Sequence, residues 1–145
     1  MKLESKNGSS FEMTIVGYEF PDTNEWAENY YDPNWLLIKF SMTNSTGTWT
    51  ATTPCMLTWE FSRFADWLEN IVGVQVPQRG FGFEFVEPDL RFKFTQDETG
   101  RDVLRVFVLN EDKLWADFPL EEVDFSEAAL NLKNQLAKFP ERLKE

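Results

Sequence analysis

The chain has 145 residues, 42% hydrophobic and 16% aromatic, with fourteen Phe and a net charge of −11 from 14 Lys and Arg against 25 Asp and Glu. One domain over 1–145 is the default at this length, with enough apolar side chain for a core that needs no staples, and the acidity argues against nucleic acid or an anionic membrane as a direct partner. The absence of His removes the usual proton shuttle and the commonest metal ligand, the lone Cys55 rules out an internal disulfide and a CxxC zinc spacing, and no apolar run approaches the ~20 residues of a membrane span.

Phe11, Met13 and Ile15 alternate with Glu12 and Thr14, which predicts a strand ending near Gly17-Tyr18, with Lys2-Leu3-Glu4 as a hairpin partner across an Asn7-Gly8 turn. Residues 19–34 hold Glu19, Asp22, Glu25, Glu28 and Asp32 and no basic residue, with Trp26, Tyr30 and Tyr31 interleaved. They read as a long loop with a helical turn at 24–29. Asp32-Pro33-Asn34-Trp35 has turn chemistry, since Pro33 presets φ and Asn34 tolerates the second central position. Leu36, Ile38, Phe40 and Met42 then alternate with Leu37, Lys39, Ser41 and Thr43, the period of a strand with one buried face. Asn44-Ser45-Thr46-Gly47 reads as a hairpin loop, and Thr48–Thr53 as the returning strand, closed by Pro54.

Thr58 is placed to cap a helix, with Glu60 in its first turn and Phe61, Phe64, Ala65, Leu68 and Val72 on one face before Gly73. Trp59 and Trp67 flank that face and are expected to pack on a sheet. Three alternating runs follow: Phe81, Phe83, Phe85; Leu90, Phe92, Phe94; and Leu104, Val106, Val108. Turns at Glu87-Pro88-Asp89 and at 96–102, with Gly100, make them an antiparallel meander. A further strand is expected over Phe118–Phe125, with Pro119 marking its start or an edge position. Ser126 then caps a last helix with Leu132, Leu136, Phe139 and Leu143 as its apolar stripe, ended by Pro140. The fold class predicted is α+β: an antiparallel, meander-rich sheet with two amphipathic helices on one face.

Chemistry is sparse. Cys55 lies in an apolar setting and reads as a small buried hydrophobe. Gly80 and Gly82 precede strand residues, not a helix, so they form no phosphate loop. The run Asp97–Asp102 lacks EF-hand spacing and contains Arg101, so it reads as a hairpin tip. Glu60 and Glu87 are the carboxylates to weigh for a hydrolase, but a cap and a turn account for them. No metal, cofactor or catalytic residue is expected. Two acidic zones remain, 19–34 and 110–127, the second with Glu111, Asp112, Asp117, Glu121, Glu122, Asp124 and Glu127 against Lys113 alone. Clustered charge of one sign speeds encounter with a basic partner, and interleaved aromatics are interface anchors. The candidate partner-binding residues are therefore Asp22, Glu25, Trp26, Glu28, Tyr30, Asp112, Trp115 and Asp117. Residues 1–15 lack an apolar leader core, and together with the lone Cys this sets the expected location as the cytoplasm.

Six segments carry a family resemblance: Gly17-Tyr18-Glu19-Phe20-Pro21, Tyr31-Asp32-Pro33-Asn34-Trp35-Leu36, Gly47-Thr48-Trp49, Leu57-Thr58-Trp59-Glu60, Phe85-Val86-Glu87-Pro88-Asp89-Leu90-Arg91-Phe92, and Phe139-Pro140-Glu141-Arg142. In this order, over nearly the whole chain, they resemble the WapI family of bacterial immunity proteins. Asp32-Pro33-Asn34 departs slightly from that family's Asp-Ala-Asn. The resemblance implies a non-catalytic protein that binds the toxic C-terminal domain of a cognate secreted polymorphic toxin, often a nuclease, and blocks it. It assigns no binding residue. The alternative is a small-ligand or glycan-binding module with Trp and Tyr as stacking platforms in an aromatic cleft.

Overall fold

The structure, a computed structural model, describes residues 1–22, 31–71 and 82–142. The expected helical turn at 24–29, Val72-Gly73, Gly80-Phe81 and Leu143 lie outside the described residues. Among those described, eight strands form two antiparallel four-stranded sheets. The first comprises β1 (Lys2–Glu4), β2 (Ser10–Tyr18), β3 (Trp35–Asn44) and β4 (Gly47–Leu57), adjacent in chain order. The second comprises β5 (Gly82–Phe83), β6 (Leu90–Gln96), β7 (Asp102–Val108) and β8 (Trp115–Pro119), again in chain order. Helix α1 (Thr58–Ile71) links the sheets, and α2 (Phe125–Leu136) follows the second. The α+β class, the meanders and the two helices are as the alternation predicts, but the strands divide between two sheets.

Alternation decides the inner faces. Phe11, Met13 and Ile15 of β2 and Leu36, Ile38, Phe40 and Met42 of β3 are buried in one cluster with Phe92, Leu104, Val106 and Phe118 of the second sheet. Phe11 meets Phe92 edge-on across the sheets, ring centres 5.7 Å apart. Phe64 of α1 stacks 4.4 Å from Phe92 and also touches Phe83 and Phe85, while Trp67 lies 5.0 Å from Phe94. The helix therefore rides on the inner face of the second sheet, with Trp67 in the core as its flanking position suggests. Offset and edge-on ring pairs of this kind add to the burial energy. Gly82 is required by close approach: a Cβ there would run into the Phe92 carbonyl oxygen.

Three boundaries differ from the sequence expectation. Strand β4 does not close at Pro54 but continues to Leu57, because the register slips between Leu36–Met56 and Ile38–Thr53, leaving Pro54 and Cys55 opposite Leu37. A bulge of this kind accepts a residue with no N–H. The strand expected over Phe118–Phe125 lies instead at Trp115–Pro119, pairing Arg105 with Asp117 and Val106 with Ala116. Pro119 ends it, and Leu120–Glu122 turn as a 3-10 helix. Helix α2 is capped not by Ser126 but by Asp124, whose Oδ1 accepts the Glu127 N–H at 3.0 Å, and it stops at Leu136. Phe139 lies beyond that end and meets the Tyr18 ring edge-on at 5.5 Å.

A polar knot ties the chain ends of the fold together. Asn34 is fully buried. Its Oδ1 accepts the Arg142 backbone N–H at 2.7 Å and the Thr58 hydroxyl at 3.2 Å, and its Nδ2 donates to the Arg142 carbonyl at 2.8 Å. The Arg142 guanidinium sits 3.6 Å over the Tyr18 ring and donates to the carbonyls of Phe20, Pro21 and Pro33. The Tyr18 hydroxyl closes the ring of contacts by donating to the Pro140 carbonyl at 2.7 Å. A second buried polar group, Glu60, accepts the Leu57 N–H at 3.0 Å and the Val86 N–H at 2.7 Å, fastening the start of α1 to the segment before β6. Thr58 thus spends its hydroxyl on Asn34, and the reach back to the helix entry comes from Glu60. Truncating Asn34 strands partners that cannot reach water. Asn34→Ala is expected to lower stability by about 3 kcal/mol, read as a lower urea midpoint with an unchanged slope.

Candidate functional site

Reactive groups are few and occupied. Among the described residues no group of three or more His, Cys, Asp or Glu is placed to hold a metal ion. Cys55 is buried, and burial followed by the nearby Asp89 carboxylate pushes its thiol up to about 12. Thiolate is the nucleophilic form, so this sulfur is inert at neutral pH. Glu60 is committed to two backbone N–H groups, and Glu87 stands exposed in the turn before β6. The Asp97–Asp102 run is a hairpin tip, where Asp97 accepts the N–H groups of Thr99 and Arg101 and the Arg101 guanidinium.

The candidate partner-binding residues fall into two groups. Glu25, Trp26, Glu28 and Tyr30 lie outside the described residues; Asp22, beside them in sequence, is exposed. Both flanks of residues 23–30 are held by one side chain, since Arg142 bonds Phe20 and Pro21 before the segment and Pro33 after it. Asp112, Trp115 and Asp117 come together at the outer face of the second sheet, and they do not come alone. Arg105 grips Asp117 through two bonds of 2.8 and 2.9 Å and lies 3.7 Å over the Trp115 ring. Arg91 bonds Asp112 at 2.8 Å and lies 4.6 Å over Phe107. Cross-strand registry makes this ladder: Arg91 faces Phe107, Phe107 faces Trp115, and Arg105 faces Asp117. The local surface is therefore charge-balanced, with guanidinium on aromatic faces.

The second acidic zone is likewise spent in part within the chain. Glu122 accepts Arg101 at 3.1 Å and the Lys6 N–H at 2.7 Å, and Asp124 caps α2. What the zone does contribute is one wall of a groove of about 520 Å³, in which Glu122, Asp124 and Glu127 face Glu4 and Glu12 of β1 and β2, with Lys2 and the N-terminus alongside. Linear reading missed this grouping, because Glu12 and Glu127 meet only when α2 returns to the β1–β2 edge. Its one sequence signal is that Glu4 and Glu12 occupy solvent positions of the β1 and β2 alternation.

The aromatic positions are mostly structural. Trp35, Trp49, Trp59, Trp67 and Trp115 are all half-buried. Trp59 borders a groove of about 500 Å³ between α1 and the end of α2, with Arg63, Lys133 and Pro140 also on its walls, and meets the Tyr31 ring edge-on. Lys133 is itself tied to Asp66 and Glu69 of α1.

These features are those of an α+β protein in which many of the described polar groups serve the scaffold. The chain belongs to the Immunity protein WapI-like family, whose model matches residues 2–140. No match was found among curated proteins or among solved structures. Membership in an immunity family implies a toxin as partner. No helix among the described residues is long and apolar enough to cross a membrane.

The Cys55 environment gives a direct test. Its folded value of about 12 lies above that of an unfolded thiol, so the unfolded chain loses this proton first and the folded state loses stability as pH rises from roughly 9 toward 12. Alkylation by iodoacetamide at pH 8 is expected to be negligible in the folded chain and complete in urea, as read by mass. The fall in stability above pH 9 is expected to be shallower in Cys55→Ala.

Proposed function

We propose that this protein neutralises a cognate secreted polymorphic toxin by binding its C-terminal domain in the cytoplasm of the protected cell, without catalysis. Family membership over residues 2–140 is the observation that carries this reading. Charge supports the choice of partner. A nuclease surface that accepts phosphates is basic, and a chain at −11 meets it with complementary potential while repelling nucleic acid itself. On this reading the partner is the toxin domain, with no cofactor and no membrane.

The contact surface proposed is the one where acidic residues cluster in sequence without basic ones. The 19–32 segment has five acidic residues and no basic one; within it Asp22, Glu25, Trp26, Glu28 and Tyr30 are the proposed contacts. The Arg142 clamp on both flanks gives that segment a fixed base. The groove carrying Glu4, Glu12 and Glu127 is the second acidic surface. Asp112, Trp115 and Asp117 contribute at the rim, since Arg91 and Arg105 already meet their charge.

The test is association with the variable C-terminal domain of a large secreted repeat protein, to be sought in the neighbouring upstream reading frame. Its rate is expected to fall with added salt. Glu25→Lys combined with Glu28→Lys is expected to slow it by about tenfold or more at low ionic strength, within the range of electrostatic steering, and to reduce growth protection on co-expression. An association rate indifferent to both salt and the double substitution sinks the electrostatic account. Absence of any protection by the wild-type chain sinks the neutralisation itself.

A further inference from the structure

We propose that the open edge of the first sheet, strand β4, is a self-association surface on which a second copy of this chain pairs antiparallel, joining two four-stranded sheets into one of eight. Strand β4 is the last in its sheet and the longest in the fold, at 11 residues, and its other side pairs only with β3. Toward its C-terminal end the edge is occupied: the Thr53 hydroxyl reaches Asp89 at 3.5 Å and the bulge at Pro54 follows. From Gly47 to Thr52 no backbone bond to anything beyond β3 is present among the described residues. Alternate residues of that stretch therefore turn N–H and C=O groups outward that find no partner among the described residues.

Soluble proteins guard such edges with charge, proline or a twist-inducing bulge. This one does so only at Pro54. Gly47-Thr48-Trp49-Thr50-Ala51-Thr52-Thr53 has no charged residue in a chain that is 27% charged. The sheet behind it is equally neutral. Its four strands contain two lysines and two glutamates, Lys2, Glu4, Glu12 and Lys39, and so no net charge, although the whole chain stands at −11. The outer face beside the edge carries Thr14, Ser41, Thr43, Thr48, Thr50 and Thr52 around Lys39 and Glu12, one charge of each sign.

Charge selects the occupant. A basic toxin gains nothing from an uncharged edge. Two copies of a strongly acidic chain repel least where neither presents net charge, and this flank is neutral in sum. The segment is also self-complementary. Antiparallel pairing centred on Thr50 sets Thr50 against Thr50 and Thr48 against Thr52, favourable cross-strand pairs, under an isologous two-fold. A stretch this short lies at the low end of interface sizes, below about 1,200 Å², so the dimer is weak and forms at high protein concentration.

Sedimentation equilibrium of the full chain tests this. The expected result is a monomer–dimer equilibrium that strengthens several-fold between about 50 and 500 mM NaCl as like-charge repulsion is screened, the opposite sign to the salt dependence expected for toxin binding. Thr50 is exposed, and Thr50→Lys places two like charges close to the two-fold; it is expected to weaken the dimer by at least about tenfold while growth protection is retained. Circular dichroism and thermal melting confirm that the variant folds, and Thr48→Lys serves in its place if it does not. A chain that is monomeric at all concentrations, or a dimer unaffected by either lysine, overturns the proposal. So does loss of toxin protection in a folded, monomeric Thr50→Lys, since the edge would then take a toxin strand. Failure of the wild-type chain to protect against the toxin bears on the neutralisation reading alone.

Discussion

The carboxamide of Asn34 holds together parts of the chain that have no other reason to meet. It is fully buried, yet both of its polar atoms are satisfied, by Thr58 at the start of α1 and by the backbone of Arg142. A buried amide left unbonded would cost more than the bonds it makes contribute, so the geometry is all-or-none. Arg142 extends the same constraint. Its backbone is held by Asn34, and its guanidinium then reaches the carbonyls on both flanks of residues 23–30 while resting on Tyr18. The described residues on either side of the most acidic segment are therefore held by one cation.

This constraint explains why the family segments are what they are. Tyr18, Pro21, Asn34, Thr58, Glu60, Val86 and Arg142 come from five stretches far apart in sequence, and all act at the knot or at the neighbouring Glu60 bridge. They mark the scaffold of the fold and leave the recognition surface free to differ. The proposed neutralisation would draw on that separation: the buried polar network holds the frame, and exposed side chains, which cost little to change, would carry specificity.

Charge is distributed unevenly over that frame. The outer side of the second sheet balances Asp112 and Asp117 against Arg91 and Arg105, with the guanidinium groups lying on Phe107 and Trp115. The strands of the first sheet carry no net charge. The excess of −11 is thereby left to the 19–32 segment, the helices and the loops. Counting acids along residues 110–127 overstated that zone, because arginines from elsewhere in the chain and an N-cap role absorb four of its members, Asp112, Asp117, Glu122 and Asp124.

Local pattern alone determined much of this molecule. Alternation fixes the inner faces of β2, β3, β6 and β7, since strand side chains have a period of two and one face must leave water. The α1 stripe, the Asn44–Gly47 hairpin and the burial of Cys55 follow from equally local chemistry. Where competing local signals were close, position went elsewhere: Pro119 fits the end of a strand as well as its start, and Asp124 and Ser126 are both residue types that cap helices, of which Asp124 does so here. Tertiary structure decided the rest. The split into two sheets, the Arg105–Asp117 pair, the Glu4–Glu12–Glu127 groove and the Asn34–Arg142 knot all join residues distant in sequence. Such pairings depend on registry and on which buried polar group finds a partner, and neither is set until the chain has closed on itself.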